Sequence, residues 1–175
     1  MDFHSAPRFP RGFRCAGRNI GLKPDAKDLA LFVSEVDATA AALFTRNQFP
    51  GAPVILGRET IKGGRLRAIV VNSRVSNVAT GALGLAHAKR MSAAAAREVG
   101  ATADRVLVSS TGVIGIPLPI EKIESGIHVS CRFSSRRNSA HSFRTGNESA
   151  GRPVLKKRSF DCAKKRLIAS RWGAR

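Results

Sequence analysis

Two short runs rich in β-branched residues, RAIVVNS at 67–73 and DRVLVSS at 104–110, bracket an alanine-rich stretch, GALGLAHAKRMSAAAAREVG, at 81–100. The runs have the composition of buried strands. The stretch between them reads as a helix, with basic residues spaced along it and Gly100 placed as its C-terminal stop. The same alternation recurs on either side. DLALFVSE at 28–35 reads as a strand that ends in a polar turn, and PLPIEKIESGI at 117–127 starts a helix with Pro119 near its first turn. ATAAALFTRN, Ala38 to Asn47, fits either a second strand or a short apolar segment, because its alanines favour neither. Strands and helices mixed at such short spacings argue for an α/β or α+β layered sandwich.

This grammar stops near Ile127. The following residues are rich in serine and arginine, with no sustained period of 2 or 3.6. Such a segment buries too little to offset its ordering entropy, so a disordered basic tail is expected over 128–175. Within it, FDCAKKRLIASRW at 160–172 has the pattern of a short basic amphipathic helix, marginal in isolation. The chain thus divides into an N-terminal arm at 1–10, a folded region at 11–127 and the tail.

Charge follows the same division. The formal net charge is +18, but residues up to Ile127 hold 17 Lys and Arg against 10 Asp and Glu, while the tail holds 13 against 2. The tail invites a binding reading, in which accessible Lys and Arg meet nucleic acid or another anionic surface. No RNA-binding aromatic signature accompanies the basic clusters, and nucleic acid is not the expected partner. No run of about 18 apolar residues implies a membrane span. The N-terminus lacks the apolar core of a secretory signal. Cys15, Cys131 and Cys162 are too few and too scattered for a disulfide framework or a metal site, which suits a reducing cytoplasm. His4, His87, His128 and His141 show no metal spacing, and His87 reads as a packing or surface residue of its helix.

Two junctions hold the candidate chemistry. At SSTGVIG, 109–115, a strand ends on Thr111 and Gly112. Backbone N–H groups beyond a strand end have no ladder partner, and glycine lets a ligand approach closely. Such donors stabilise the charge that develops on a reacting carbonyl oxygen, with the Thr111 hydroxyl as a further donor. Local sequence alone favours a plain strand-to-turn junction, with polar residues doing turn chemistry. At VNSRVSNVATG, 71–81, Asn72, Ser73, Asn77 and Thr80 supply side-chain hydrogen bonds, with Thr80 read as the side-chain cap of the following helix.

Taken in order, GFRCAG, GLKPDAKDLAL, ALFTRNQFPGAPV, LRAIVVNS, NVATG and VLVSSTGVIGIPLP resemble the N-terminal part of the ornithine acetyltransferase (glutamate N-acetyltransferase) family of arginine biosynthesis. The resemblance runs from about Arg11 to Ile127. It implies acetyl transfer from N-acetylornithine to glutamate without a cofactor, some members also accepting acetyl-CoA as donor. It further implies a precursor that cuts itself into an α chain and a β chain. The threonine freed by that cut is the nucleophile that carries the acetyl group. The family's oxyanion-hole pair falls on Thr111 and Gly112, which turns the reading of that junction from a turn into a site.

The departures are as specific. After VNS the family usually reads Gly-Asn-Ala-Asn-Ala, where this chain has Arg74, Val75 and Ser76 before Asn77. If that position is left-handed, arginine strains it. Beyond Ile127 neither the family's Thr-Thr-Asp-Thr segment nor its cleavage threonine is recognisable, so the expected sandwich is incomplete and lacks its β chain. Out-of-frame translation of a GC-rich coding strand would produce such an abrupt change, and the chain alone is then expected to be inactive.

Overall fold

The computed structural model describes residues 10–134. The N-terminal arm with His4, and the segment from 135 onward with His141, Cys162 and the stretch 160–172, lie outside the described residues. The chain divides into two units, Met1–Thr145 and Gly146–Arg175, and only the first contains described residues.

A four-stranded sheet carries the fold, its strands in the order β1 (Phe13–Arg18), β2 (Leu29–Thr39), β3 (Arg65–Asn72) and β4 (Val106–Ser110). β1–β2 and β2–β3 are antiparallel, and β3–β4 is parallel. A parallel pair needs a crossover, and here it is the alanine-rich helix α2 (Gly81–Val99). Helix α1 (Ala52–Thr60) lies between β2 and β3 in sequence, and α3 (Ile120–Ser134) follows β4. The architecture is therefore mixed α/β, as the alternation of patterns predicts.

Burial alternates along the strands as the period of 2 requires. Leu29, Leu31 and Val33 of β2, Ala68 and Val70 of β3, and Val106 and Val108 of β4 all join one core. The helices close it with Ala88, Met91 and Ala94–Ala96 of α2, and with Ile120, Ile123 and Ile127 of α3. Small residues let the layers approach closely. A Cβ on Gly126 of α3 would lie 2.4 Å from Ile20 Cγ2 and 2.9 Å from Leu29 Cδ2.

Three details differ from the sequence reading. Ala38 and Thr39 are the end of β2 rather than a strand of their own, and 40–47 has no regular structure. Helix α1 was not expected, because Val54, Ile55 and Leu56 give APVILG a strand-like composition. Its start is set by Pro53, whose missing N–H costs nothing in a first turn. Helix α3 continues to Ser134, past Ile127, since buried Ser130 extends the stripe of Ile120, Ile123 and Ile127 and returns its hydroxyl to the Gly126 carbonyl at 2.7 Å. Gly100 ends α2 as expected, at φ +65, with its N–H on the Ala96 carbonyl.

An ion-paired fork ties α2 to α3. Arg90 donates to Glu124 through Nε at 3.0 Å and Nη2 at 2.7 Å, and to Glu121 through Nη1 at 3.3 Å. The hydrogen bond from Arg90 holds the Glu124 carboxyl below its ordinary value of 4.5. Its contribution to stability is therefore present above that value and lost as the pH falls through the lower folded one. Glu124→Gln should lower stability at neutral pH and change it little at acid pH, where the contribution is already lost, so that the acid limb of a stability-versus-pH profile flattens. In the core, Ile123→Ala should cost about 2–5 kcal/mol by urea denaturation. Leu43→Ala, at a fully exposed position, should change stability by less than about 0.5 kcal/mol.

Candidate active site

The C-terminal ends of the parallel strands β3 and β4 do not separate where the strands stop. Thr111 N–H donates to the Asn72 carbonyl at 3.0 Å, Val113 N–H to the Arg74 carbonyl at 2.9 Å, and Ser76 N–H back to the Val113 carbonyl at 2.9 Å. Gly115 N–H reaches the Val78 carbonyl at 2.9 Å, and the Ser76 hydroxyl adds a bond to the Val113 carbonyl at 3.0 Å. Val75 and Val113 form an isolated parallel bridge. Segment 111–115 is thereby fastened along 72–78 over its whole length.

This corrects one part of the sequence reading. The N–H groups after the strand end are not all free, because Thr111 and Val113 are engaged. Those that alternate with them, on Gly112 and Ile114, have no hydrogen-bond partner among the described residues. The Thr111 hydroxyl likewise has none, and both Thr111 and Gly112 are exposed. The pair therefore offers one side-chain O–H and one main-chain N–H.

Gly112 is also a steric requirement. Its φ is +137, and a Cβ there would lie 2.2 Å from the Arg74 carbonyl carbon and oxygen and 2.7 Å from its Cα. No side chain fits against that backbone. The facing loop carries three left-handed residues that are not glycine: Arg74 at φ +84, Asn77 at +52 and Ala79 at +60. Each such residue costs on the order of 1–3 kcal/mol, least for asparagine. Arginine at 74 thus occupies the strained conformation that the sequence reading feared.

Two buried asparagines hold the loop against this strain. Asn72, fully buried, donates Nδ2 to the Val75 carbonyl at 2.8 Å while its own carbonyl receives Thr111. Asn77, also fully buried, donates Nδ2 to the Gly84 carbonyl at 2.9 Å and accepts the Thr80 hydroxyl at 2.8 Å. Its main-chain carbonyl takes Ala52 N–H at 3.1 Å, docking the start of α1 on the same loop. Thr80 stands at the N-cap of α2, but its hydroxyl is spent on Asn77 and does not cap. Ser73 binds the main chain of Asp28. The buried Asp28 carboxylate receives the N–H groups of Ile20, Leu22 and Lys23 at 2.6–2.9 Å. Sequence reasoning missed Asp28, whose only signal was an acid at the head of an apolar strand.

Asn72 Oδ1 and Ser110 Oγ are buried without partners, and the two residues are paired across β3 and β4. His87 is half-buried on α2 with Nδ1 unpartnered, and His128 Nδ1 lies 2.7 Å from Glu98; neither is hydrogen-bonded to a junction residue. A separate cavity of about 250 Å³ is lined by Leu56, Glu59, Thr60, Lys89, Ser92, Ala103 and Asp104. It sits at the opposite end of β4 from Thr111 and contains none of the junction residues. Among the described residues no helix is long and apolar enough to cross a membrane.

Comparison with known proteins gives this junction its context. The ArgJ family model matches residues 14–159. The chain belongs to the ArgJ family. The matched span runs past the compositional break at Ile127. The arginine biosynthesis bifunctional protein ArgJ of Thermotoga neapolitana is 46% identical over 129 residues, which is 73% of this chain and 32% of that protein. ArgJ 2 of Clostridium acetobutylicum is 44% identical over 119 residues, 68% of this chain and 31% of that protein. The chain spans about a third of the length of these curated relatives. Among solved structures, ornithine acetyltransferase from Mycobacterium tuberculosis complexed with ornithine aligns at a TM-score of 0.68 and 39% identity, over 70% of this chain and 67% of that one. ArgJ from Bacillus halodurans aligns at 0.66 and 40% identity, over 67% and 62%.

Gly112→Ala should break the Val75–Val113 bridge and cost about 2 kcal/mol or more. Hydrogen exchange at the Val113 and Ser76 amides, which would lose their partners, is the local readout.

Proposed function

We propose that this chain forms the oxyanion-stabilising part of a cytoplasmic glutamate N-acetyltransferase, which moves acetyl from N-acetylornithine to glutamate in arginine biosynthesis. The observation that carries the reading is the pair of unengaged donors, Gly112 N–H and Thr111 O–H, at the exposed end of a segment fixed to its neighbour by backbone hydrogen bonds. Family membership supports the chemistry assigned to them.

The acetyl carbonyl carbon is attacked by a nucleophile, and its oxygen gains negative charge as the carbon becomes tetrahedral. Donors fixed before the reaction stabilise that charge without reorganising. In this scheme Gly112 N–H and Thr111 O–H donate to that oxygen, and the charge is relieved when ornithine leaves. The acetyl group then rests on the nucleophile as an ester, and glutamate attacks the same carbonyl over the same donors. The threonine nucleophile that the family resemblance implies is supplied in this scheme by a separate portion, the β chain. The scheme needs no cofactor, and acetyl-CoA as donor would place its acetyl oxygen on the same pair.

Two measurements test this. The purified 175-residue chain should show no transfer between N-acetylornithine and glutamate, and turnover by it alone would contradict the need for a second portion. In an enzyme assembled with that portion, Thr111→Ala should lower kcat by about 10²–10³ with little change in KM. A full-rate Thr111→Ala enzyme would remove Thr111 from the role.

A further inference from the structure

Arg74 has a backbone that glycine would adopt freely, at φ +84. Its side chain is exposed and makes no hydrogen bond or ion pair among the described residues. No acidic residue occurs between Glu59 and Glu98, so the sequence around it provides nothing to neutralise it. Its position is nevertheless tightly fixed. The Arg74 carbonyl holds Val113 N–H at 2.9 Å, and its Cα and carbonyl lie flush against Gly112. A strained residue whose side chain has no structural task, rooted against a candidate active-site glycine, is the kind of outlier that points to a ligand.

Both amino acids in the proposed transfer carry an α-carboxylate, only a few bonds from the nitrogen that bears or receives the acetyl group. Guanidinium matches a carboxylate with two parallel N–H donors. We propose that Arg74 is a substrate-binding residue that grips the α-carboxylate of the amino acid whose acetyl oxygen rests on Gly112. This inference depends on the acetyl-transfer reading of the same site. It adds to that reading a specificity for acids over their amides, because the guanidinium of Arg74 has no ion-pair partner among the described residues.

The test is a titration of the ¹⁵N-labelled 175-residue chain with N-acetylornithine and, separately, with its α-carboxamide, following the Gly112 amide resonance. The acid should bind roughly threefold to tenfold tighter than the amide, as expected of an exposed, charge-assisted contact. That preference should shrink as salt is raised. In Arg74→Gln, which keeps the length and removes the charge, the preference should fall to about one. Arg74→Gly, which relieves the left-handed φ and safeguards the fold, should show the same loss. If the Gly112 amide moves but the preference survives in both variants, the role of Arg74 is overturned and the site reading stands. If neither compound moves the Gly112 amide, the site reading fails and the inference falls with it.

Discussion

The contact between Gly112 and the backbone of Arg74 is the constraint on which the rest of the candidate site depends. Parallel strands usually diverge after their last ladder bond, each into its own loop. Here the absence of a Cβ at 112 lets the two chains stay in register for several more residues, through Val75–Val113 and on to Gly115. That continuation fixes the direction of every peptide group between Thr111 and Gly115. It also explains why Gly112 N–H is left over, since alternate N–H groups of an extended segment face opposite ways.

Holding that register has a cost, carried by the facing loop. Arg74, Asn77 and Ala79 sit in left-handed conformations within six residues of one another. The compensation comes from burial in which both side-chain groups of Asn77 are hydrogen-bonded and one of those of Asn72 is. Asn77 does most. Its amide reaches Gly84 in the first turn of α2, its Oδ1 takes the Thr80 hydroxyl, and its carbonyl takes the first N–H of α1. One side chain and one carbonyl thereby join two helix starts to the loop. Gly84 is small for the same reason, because a Cβ there would lie 1.9 Å from Thr80 Oγ1. The strain is local, and the network that balances it is local as well.

Much of this scaffold was legible in the sequence, for physical reasons that also mark where legibility ended. β3, β4, α2 and the Gly100 stop follow from composition and period, because their inward faces are built from Leu, Ala and Val at regular spacing. Helix α1 hid behind β-branched residues whose helical state is set by docking on Asn77 and Val78, which no local pattern records. The short edge strand β1 was not picked out, since FRCAGR has no alternation and is recruited by pairing with β2. Thr80 was placed correctly but given the wrong partner, since the competing acceptor, Asn77 Oδ1, is three residues away on a turn that only the fold defines. Thr111 and Gly112 were named through a resemblance. Only the structure distinguishes the engaged Thr111 N–H from the unengaged Gly112 N–H, because that distinction lies in register and not in residue type.

The double role of Gly112 sets a limit on how this site can vary. Among substitutions only proline removes a main-chain donor, and any side chain at 112 meets the Arg74 backbone. In the proposed scheme stability and oxyanion stabilisation are therefore coupled at this position. Thr111 is different, because its N–H maintains the register while its hydroxyl is free to act. Loss of the hydroxyl leaves the ladder intact. Arg74 is different again, since only its backbone is committed to the contact. Thr111 and Arg74 can thus change side chain without disturbing this backbone contact, and in the proposed scheme both side chains meet the substrate. Changes in substrate preference within this scaffold are to be expected at those positions before any others.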